Sequence, residues 1–217
     1  MLEKNSFTII LDPGHARDTS GKRSPYSLQR VRPKIYFEEW QFNRDIVFRI
    51  KSLLENDGID VFITTTSDKD GTKDVTLATR AKRANDYIKQ FNRRGLFLSI
   101  HANAAGNGTQ WMNARGWSVW TTKGQNNSDK LADCLYEAAK ECFPSVIKIR
   151  TETYEDKDND YEKDFTVIKK ANMPAVLTEN LFYDNIEDCT YLNTEEGKDT
   201  IAKIHYLGII KYIEQYG

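Results

Sequence analysis

Two histidines and a glutamate stand where predicted strands end, and these residue types can bind a metal ion or transfer protons. His15 lies just beyond the first apolar run, His101 ends the third, and Glu179 follows the last. Because sites in open α/β sheets form beyond the carboxyl ends of the strands, we expect these side chains to meet at one edge of a sheet. Imidazole and carboxylate groups are typical ligands of zinc.

A hydrolytic zinc site usually has three protein ligands and one open position, so a third ligand is needed. A helix is predicted to begin near Glu38, and the rotation of 100° per residue puts Glu38 on its polar face and Glu39 on its apolar face. That apolar face also carries Ile46, Ile50 and Leu53. A carboxylate at a helix start also suits the helix dipole, but an inward carboxylate needs a cationic partner. We therefore predict a metal ion bound by His15, Glu39 and His101.

Two further ionisable residues receive lesser roles. Asp12, which lies in the same segment as His15, is expected to hydrogen-bond a ligand histidine and hold it in one tautomer. His205 lies within a predicted helix far from any strand end, and it is interpreted as a structural or surface residue.

The elements that position these residues follow from apolar patterning. Continuous apolar runs predict strands at Phe7–Leu11, Asp60–Thr65, Leu96–His101, Trp117–Thr121 and Ala175–Thr178. Helical periodicity lies between them, at Leu77, Ala81, Ala84, Ile88 and Phe91, and in a terminal helix at Thr194–Tyr216. This alternation predicts an α/β fold with a mixed, mostly parallel central sheet flanked by helices on both faces.

Composition limits the class of protein. The 217 residues predict a single domain, 1–217, and a hydrophobic content of 39% is enough for a core. A net charge of -1 argues against nucleic acid and anionic membranes as partners. No apolar run is long enough to span a membrane. No signal peptide is predicted at the N-terminus. Cys134, Cys142 and Cys189 lack metal-ligand spacing, so no disulfide framework is expected.

One acidic segment departs from the rest of the chain and is interpreted as a surface insertion at about 150–165. Asp156, Asp158 and Asp160 alternate like the start of a calcium-binding loop. That loop type needs glycine at its sixth position and glutamate at its twelfth, where this chain has Tyr161 and Val167. The segment is therefore predicted to be a solvated loop that could shape one wall of a groove.

At these positions the chain resembles the zinc-dependent N-acetylmuramoyl-L-alanine amidases of the amidase 3 type. The resemblance extends from Phe7 to about Tyr212 and is carried by motifs in the family's order. They are Leu11 to His15, Glu39 with Asn43, Leu77 with Arg80, Ala84 and Asn85, Ser99 to Asn103, and Met173 to Leu177 followed by Glu179, Phe182 and Asn185. Ala16 departs from the family pattern, which has glycine after the first histidine.

The resemblance implies a zinc-exopeptidase-like or phosphorylase-hydrolase-like fold and a hydrolase that cuts the bond between N-acetylmuramic acid and L-alanine in peptidoglycan. His15, Glu39 and His101 would bind Zn²⁺, which lowers the pKa of a bound water. Glu179 would be the catalytic residue, taking a proton from the water and returning it to the leaving amine. We expect a monomer that acts on the bacterial cell wall, either as a phage or prophage endolysin or as a secreted enzyme.

Two alternatives remain open from the sequence. A zinc peptidase of related fold, such as a carboxypeptidase, would need a cationic pocket, for which Arg23, Arg115 and Arg150 are candidates. A non-catalytic wall-binding module could use aromatic residues to stack on sugar rings, although aromatic residues near strand ends are more often part of the core. The aromatic candidates are Tyr36, Trp111, Trp117 and Trp120.

Overall fold

A six-stranded sheet forms the centre of the computed structural model, which describes residues 6–25, 36–65, 72–152 and 158–217. Its strands are β1 (Phe7–Pro13), β2 (Asp60–Ile63), β3 (Arg94–Asn103), β4 (Ser118–Thr121), β5 (Tyr161–Glu162) and β6 (Ala175–Phe182). They lie in the order β2-β1-β3-β6-β4-β5. The first four are mutually parallel, β4 is antiparallel to β6, and β5 is parallel to β4. The predicted mixed, mostly parallel sheet is confirmed.

Helices cover both faces of this sheet. They are α1 (Glu39–Asn56), α2 (Leu77–Phe91), α3 (Asn127–Cys142), α4 (Thr166–Lys169), α5 (Ile186–Leu192) and α6 (Glu195–Tyr216). Alternate strand residues point to opposite faces, so Ile9 and Leu11 join a core with α1, α3, α5 and α6, whereas Ile10 and Phe97 join a second core with α2 and α4. Burial on both faces explains why the strands are continuous apolar runs.

The strands that carry the site are longer than the sequence predicts. β3 continues past His101 to Asn103, and β6 continues past Glu179 to Phe182. The register between these strands shifts between His101 and Asn103, and Leu181 adopts a positive φ of 66°. His101 and Glu179 therefore lie inside their strands and not at the last residue of each strand.

The acidic segment is only partly the solvated loop that the sequence predicts. Asp156 lies outside the described residues, but Asp160 is only 1% exposed and Tyr161–Glu162 forms strand β5 at the edge of the sheet. Tyr161 stacks on Trp120, with ring centroids 4.7 Å apart. This aromatic contact draws the end of the segment onto the sheet, and the prediction is wrong for that part.

The rotation of 100° per residue predicts which residues of α1 and α2 face the core, with a few exceptions. Ile46 and Ile50 of α1 are buried as expected, but Leu53 is partly exposed and Leu54 occupies the core position. Leu77 and Phe91, at the two ends of α2, are exposed because the helix extends beyond the core at both ends.

The third histidine, the cysteines and the apolar character of the helices remain to be described. His205 is fully buried between Thr178 and the carbonyl of Ile201, which makes it structural and excludes the surface interpretation. Cys134, Cys142 and Cys189 are free thiols. None of the helices in the described ranges combines the length and apolar character needed to cross a membrane.

Candidate metal centre and catalytic site

A sharp turn at the end of β1 positions the first histidine. His15 has a φ of 59°, a left-handed conformation that non-glycine residues rarely adopt. Two side chains of α1 hold the turn: Asn43 Nδ2 donates to the carbonyl of Gly14 at 3.0 Å, and Arg44 donates to the carbonyl of His15 at 2.9 Å. This supported strain orients the imidazole toward the edge of the sheet.

The second histidine fits against the backbone of the same turn. The amide of Gly14 donates to the carbonyl of Ile100 at 2.9 Å, which joins β1 to β3 just before His101. A Cβ atom on Gly14 would lie only 2.2 Å from Cε1 of His101. Glycine is therefore required here to make room for the His101 ring, whose centroid lies 4.9 Å from that of His15.

Glu39, the first residue of α1, lies between the two histidines. Its Oε1 is 3.0 Å from His101 Nδ1 and accepts a hydrogen bond from the amide of Ala102 at 3.2 Å. Its Oε2 lies 3.5 Å from His15 Nε2 and has no hydrogen-bond partner within the described ranges. The structure thus brings together the three residues predicted to bind a metal.

The electrostatics of this group suit a cation. Burial lowers the pKa of His15 to about 4, so its imidazole is neutral at neutral pH. Burial acts against the charges of Glu39 and His101, but their mutual hydrogen bond and attraction outweigh it. The pKa of Glu39 is therefore lowered and that of His101 raised. A buried carboxylate with one unused oxygen beside a neutral imidazole is a set of donors that fits zinc.

The distances between the possible ligand atoms are also compatible with one metal ion. One ligand atom from each of His15, Glu39 and His101 lies within 4.8 Å of the other two. One ion about 2 Å from each atom could contact all three. The group therefore could hold a metal ion, and the unused Glu39 Oε2 is the observation that favours one.

Glu179 lies beside this group because of strand register. Residues His101 and Glu179 are direct partners in the parallel pairing of β3 and β6. Burial raises the pKa of Glu179 to about 7, with the charge of His101 opposing the rise and that of Glu39 adding to it. Its Oε2 is buried and has no hydrogen-bond partner among the residues that the structure describes. An unbonded carboxylate that titrates near neutrality is suited to proton transfer.

These residues line one cavity of about 480 Å³. Its walls include Lys22, Phe165 and Tyr183, none of which the sequence indicated as part of a site. Lys22 brings a positive charge that acts on His15, Glu39 and Glu179. It lies in a segment without strand or helix periodicity, so no sequence signal pointed to it.

Asp12 does not have the predicted role. Its carboxylate accepts hydrogen bonds from Thr64, Arg80 at 3.0 Å and Ser99 at 2.7 Å, and neither His15 nor His101 is among these partners. Asp12 points across the strands instead of along the turn to His15. It holds the ends of β1, β2 and β3 together, and the expected contact with a histidine is wrong.

Arg80 of α2 explains that arrangement. Fully buried, it binds Asp12 and also donates to the carbonyl of Pro13 at 2.6 Å and to Asp74 at 2.6 Å. These bonds fix the backbone that leads into His15. Arg80 therefore acts as a scaffold for the turn that carries His15, as the resemblance implied for this helix.

Three of the residues named for the alternatives have partners of their own. Arg115 pairs with Glu187, and the Arg150 guanidinium lies over the rings of Tyr161 and Phe182. Trp117 is fully buried and donates to Asn180, which makes it a core residue. Neither arginine is among the residues that line the cavity, but the charge of Arg150 acts on Glu179 and lowers its pKa against the larger effect of burial.

Comparisons with known proteins show which family the chain resembles. The profile of a family described as N-acetylmuramoyl-L-alanine amidase matches residues 9–211. The endolysin of Bacillus phage SPP1 is 28% identical over 209 residues, which are 96% of this chain and 66% of the endolysin. The N-acetylmuramoyl-L-alanine amidase CwlM of Bacillus licheniformis is 27% identical over 206 residues, which are 94% of this chain and 67% of CwlM. The chain thus spans about two thirds of the length of these relatives.

A solved structure shares the fold. The crystal structure of N-acetylmuramoyl-L-alanine amidase from Clostridium difficile 630 matches with a TM-score of 0.76 and 24% sequence identity. The match covers 98% of this chain and 100% of that one. The α/β architecture therefore extends over the whole matched length.

Proposed function

Because the chain belongs to the N-acetylmuramoyl-L-alanine amidase family, we propose that it hydrolyses the amide bond between N-acetylmuramic acid and L-alanine in peptidoglycan, with zinc as its cofactor. The observation that carries the proposal is the buried group His15, Glu39 and His101 with Glu179 beside it on the next strand. The related proteins support the substrate, and the donor set supports the metal.

His15, Glu39 and His101 would hold the zinc ion, which when bound polarises the scissile carbonyl and makes water more acidic. Glu179 accepts the proton of the attacking water at Oε2, because this oxygen is unbonded and its carboxyl titrates near neutrality. It then returns the proton to the nitrogen of the leaving L-alanine. One carboxyl group thus acts as base and then as acid.

The rest of the cavity binds and orients the substrate. Lys22 contributes a positive charge to the wall, which suits the carboxylates of a stem peptide. Tyr183 packs against Phe37 with ring centroids 5.7 Å apart, and burial raises the pKa of its hydroxyl, so the phenol stays neutral. A neutral phenol can donate a hydrogen bond to the substrate.

Product analysis tests the activity. Zinc-loaded protein is incubated with purified peptidoglycan and, separately, with free stem peptides, and the products are identified by mass spectrometry. The proposal expects peptides that begin with L-alanine and glycan strands that keep the intact lactyl carboxyl. Shortened peptides still attached to the glycan, or cleavage of free stem peptides alone, would instead assign a peptidase.

Metal analysis tests the cofactor separately. We expect one zinc ion per chain in the wild-type protein and none in His101→Ala, with folding of the variant checked by circular dichroism. A wild-type protein that binds no zinc under any loading condition would overturn this part of the proposal.

We further propose a role in cell-wall lysis as a phage or prophage endolysin, which the similarity to the SPP1 endolysin supports. The protein is expressed in a bacterial host with and without a pore-forming holin, and turbidity is followed. Lysis that requires both proteins agrees with the proposal. Wall turnover without lysis, in either case, would point to a remodelling enzyme.

A further inference from the structure

A second group of acidic side chains lies beside β5, the strand at one edge of the sheet, and shares no residue with the site described above. Asp129 comes from the first turn of α3, and Asp158 and Asp160 come from the residues just before β5. One carboxylate oxygen from each lies within 4.8 Å of the other two. The three residues are called the carboxylate cluster below.

Burial makes this cluster unlike a solvated acidic surface. Asp160 is 1% exposed and Asp129 is 8% exposed. Carboxylates are rarely buried to this extent unless something cationic compensates them. Both groups that act most strongly on Asp160 by charge, Asp158 and Asp129, are themselves acidic. Burial and this repulsion raise the pKa of Asp160 to about 8.

The hydrogen bonds of the cluster use only part of its oxygen atoms. Thr121 donates to Asp160 Oδ2 at 2.5 Å, and the amide of Asn126 donates to Asp129 Oδ2 in a capping box. Asp129 Oδ1 is buried without a hydrogen-bond partner in the described part of the chain. Helix capping therefore accounts for one oxygen of Asp129, and its buried Oδ1 is left over. Asp158 and Asp160 share a side-chain hydrogen bond, which a proton between the two carboxylates must supply.

From these observations we propose that the carboxylate cluster is a calcium site. Its ligands are all carboxylate oxygens, which hard cations prefer, and it contains no imidazole or thiolate that would favour zinc. Oxygens bound to one calcium ion lie at most about 5.2 Å apart, and the three oxygens of the cluster are within that limit. The ion supplies the positive charge that the buried oxygens lack.

This site differs from the calcium-binding loop that the aspartate spacing suggests. A loop of that type takes all its ligands from twelve consecutive residues, and this chain has Tyr161 and Val167 at two essential positions. The proposed site instead joins two residues of the acidic segment to a helix 29 positions earlier, at Asp129. Only the folded chain assembles it.

Calcium would fasten one wall of the catalytic cavity. The ion would tie the residues before β5 to α3 and, through Thr121, to the end of β4. The next residue, Tyr161, stacks on Trp120, and Trp120 contacts Phe165 with ring centroids 5.6 Å apart. Phe165 lines the cavity that holds Glu179. The contacts of Tyr161, Trp120 and Phe165 thus connect the calcium site to the wall of the catalytic cavity.

Calcium titration of the zinc-loaded protein tests the proposal directly. We expect isothermal titration calorimetry to show one calcium ion per chain. At a calcium concentration one hundred times Kd, Tm should rise by roughly 5 to 10 °C. Terbium should replace calcium and show luminescence sensitised by Trp120, a readout independent of amidase activity.

Two variants with the same charge change separate the site from a general effect of acidity. Asp160→Asn removes a ligand and should weaken calcium binding by at least about tenfold. Asp164→Asn removes an exposed carboxylate of the same segment that pairs with Lys169, and calcium affinity should stay within about twofold of wild type.

The Tm in calcium-free buffer shows whether the Asp160→Asn variant is folded. Because Asp160→Asn relieves repulsion within the cluster, it should melt in calcium-free buffer at or above the wild-type Tm. The proposal is overturned if wild type binds no calcium at millimolar concentration, which would mean that a shared proton stabilises the cluster. Equal affinity of wild type and Asp160→Asn, or tighter binding of magnesium than calcium, would also overturn it. The proposed amidase activity does not depend on any of these results.

Discussion

Glu179 is the direct strand neighbour of His101 in the parallel pairing of β3 and β6. The proposed metal ligand and the proposed proton-transferring carboxylate thus come from adjacent strands, and backbone hydrogen bonds set their separation. The register shift that follows His101 begins only after this pair. Rigid pairing on this side positions both side chains before any substrate binds, which is the arrangement that favours catalysis.

Glu179→Gln should lower kcat by about 10² to 10⁴ because the amide cannot accept the proton of water. Zinc content should remain at the wild-type value, since Glu179 is not one of the three grouped ligands. Glu187→Gln, which neutralises an exposed glutamate paired with Arg115, is the matched control and should keep wild-type kcat. A Glu179→Gln enzyme within threefold of wild type would contradict the assigned role.

Gly14→Ala should disrupt the metal centre through a clash with the His101 ring, because the added Cβ would lie 2.2 Å from Cε1. We expect zinc affinity, measured by competition with a chelating dye, to fall roughly 10- to 100-fold. Gly124→Ala is the control: its φ of +83° makes alanine unfavourable by about 1 kcal/mol, but nothing lies within 4 Å of the new atom. Equal zinc affinity of the two variants would show that His101 can move freely.

Arg80→Met should destabilise the fold by about 3 to 5 kcal/mol, because it leaves the buried carboxylate of Asp12 without its cation. The free energy of unfolding is measured by urea denaturation of the metal-free proteins. Lys82→Met breaks an exposed ion pair with Asp86 on the same helix and should change stability by only about 0.3 to 0.5 kcal/mol. A loss below 1 kcal/mol for Arg80→Met would mean that Thr64 and Ser99 suffice to stabilise Asp12.

His205 should make the metal-free protein less stable in acid. Burial lowers the pKa of His205 to about 4 in the fold, against 6.5 for an unperturbed histidine. Between these values the unfolded chain binds the proton and the folded chain does not, so stability falls as pH drops from 6.5 toward 4. The shift corresponds to roughly 3 kcal/mol at the acid end.

His205→Gln provides the comparison for this pH dependence, since glutamine does not titrate. Both metal-free proteins are unfolded with urea at pH 7 and pH 4.5. Wild type should lose more free energy of unfolding than the variant over this interval, because the other titrating groups are common to both. Parallel losses in the two proteins would show that His205 is already protonated in the fold, against its buried position.

The sequence by itself determined which residues meet at the centre. Continuous apolar runs, each followed or ended by a histidine in the sequence, were sufficient to predict the parallel strands and the edge where His15 and His101 converge. The rotation of α1 separated Glu39 from Glu38, because helical geometry is independent of the rest of the fold. Glu179 was identified in the same way, from its place after an apolar run.

Tertiary structure decided what no local pattern encodes. Asp12 turned out to bind Arg80 from a helix 68 positions later, and Lys22 reached the cavity from a segment without periodicity. The acidic segment met Asp129 because stacking of Tyr161 on Trp120 places it against the edge strand. Contacts of this kind depend on which distant elements pack together, and the free energy of that packing belongs to the whole core rather than to any short stretch of chain.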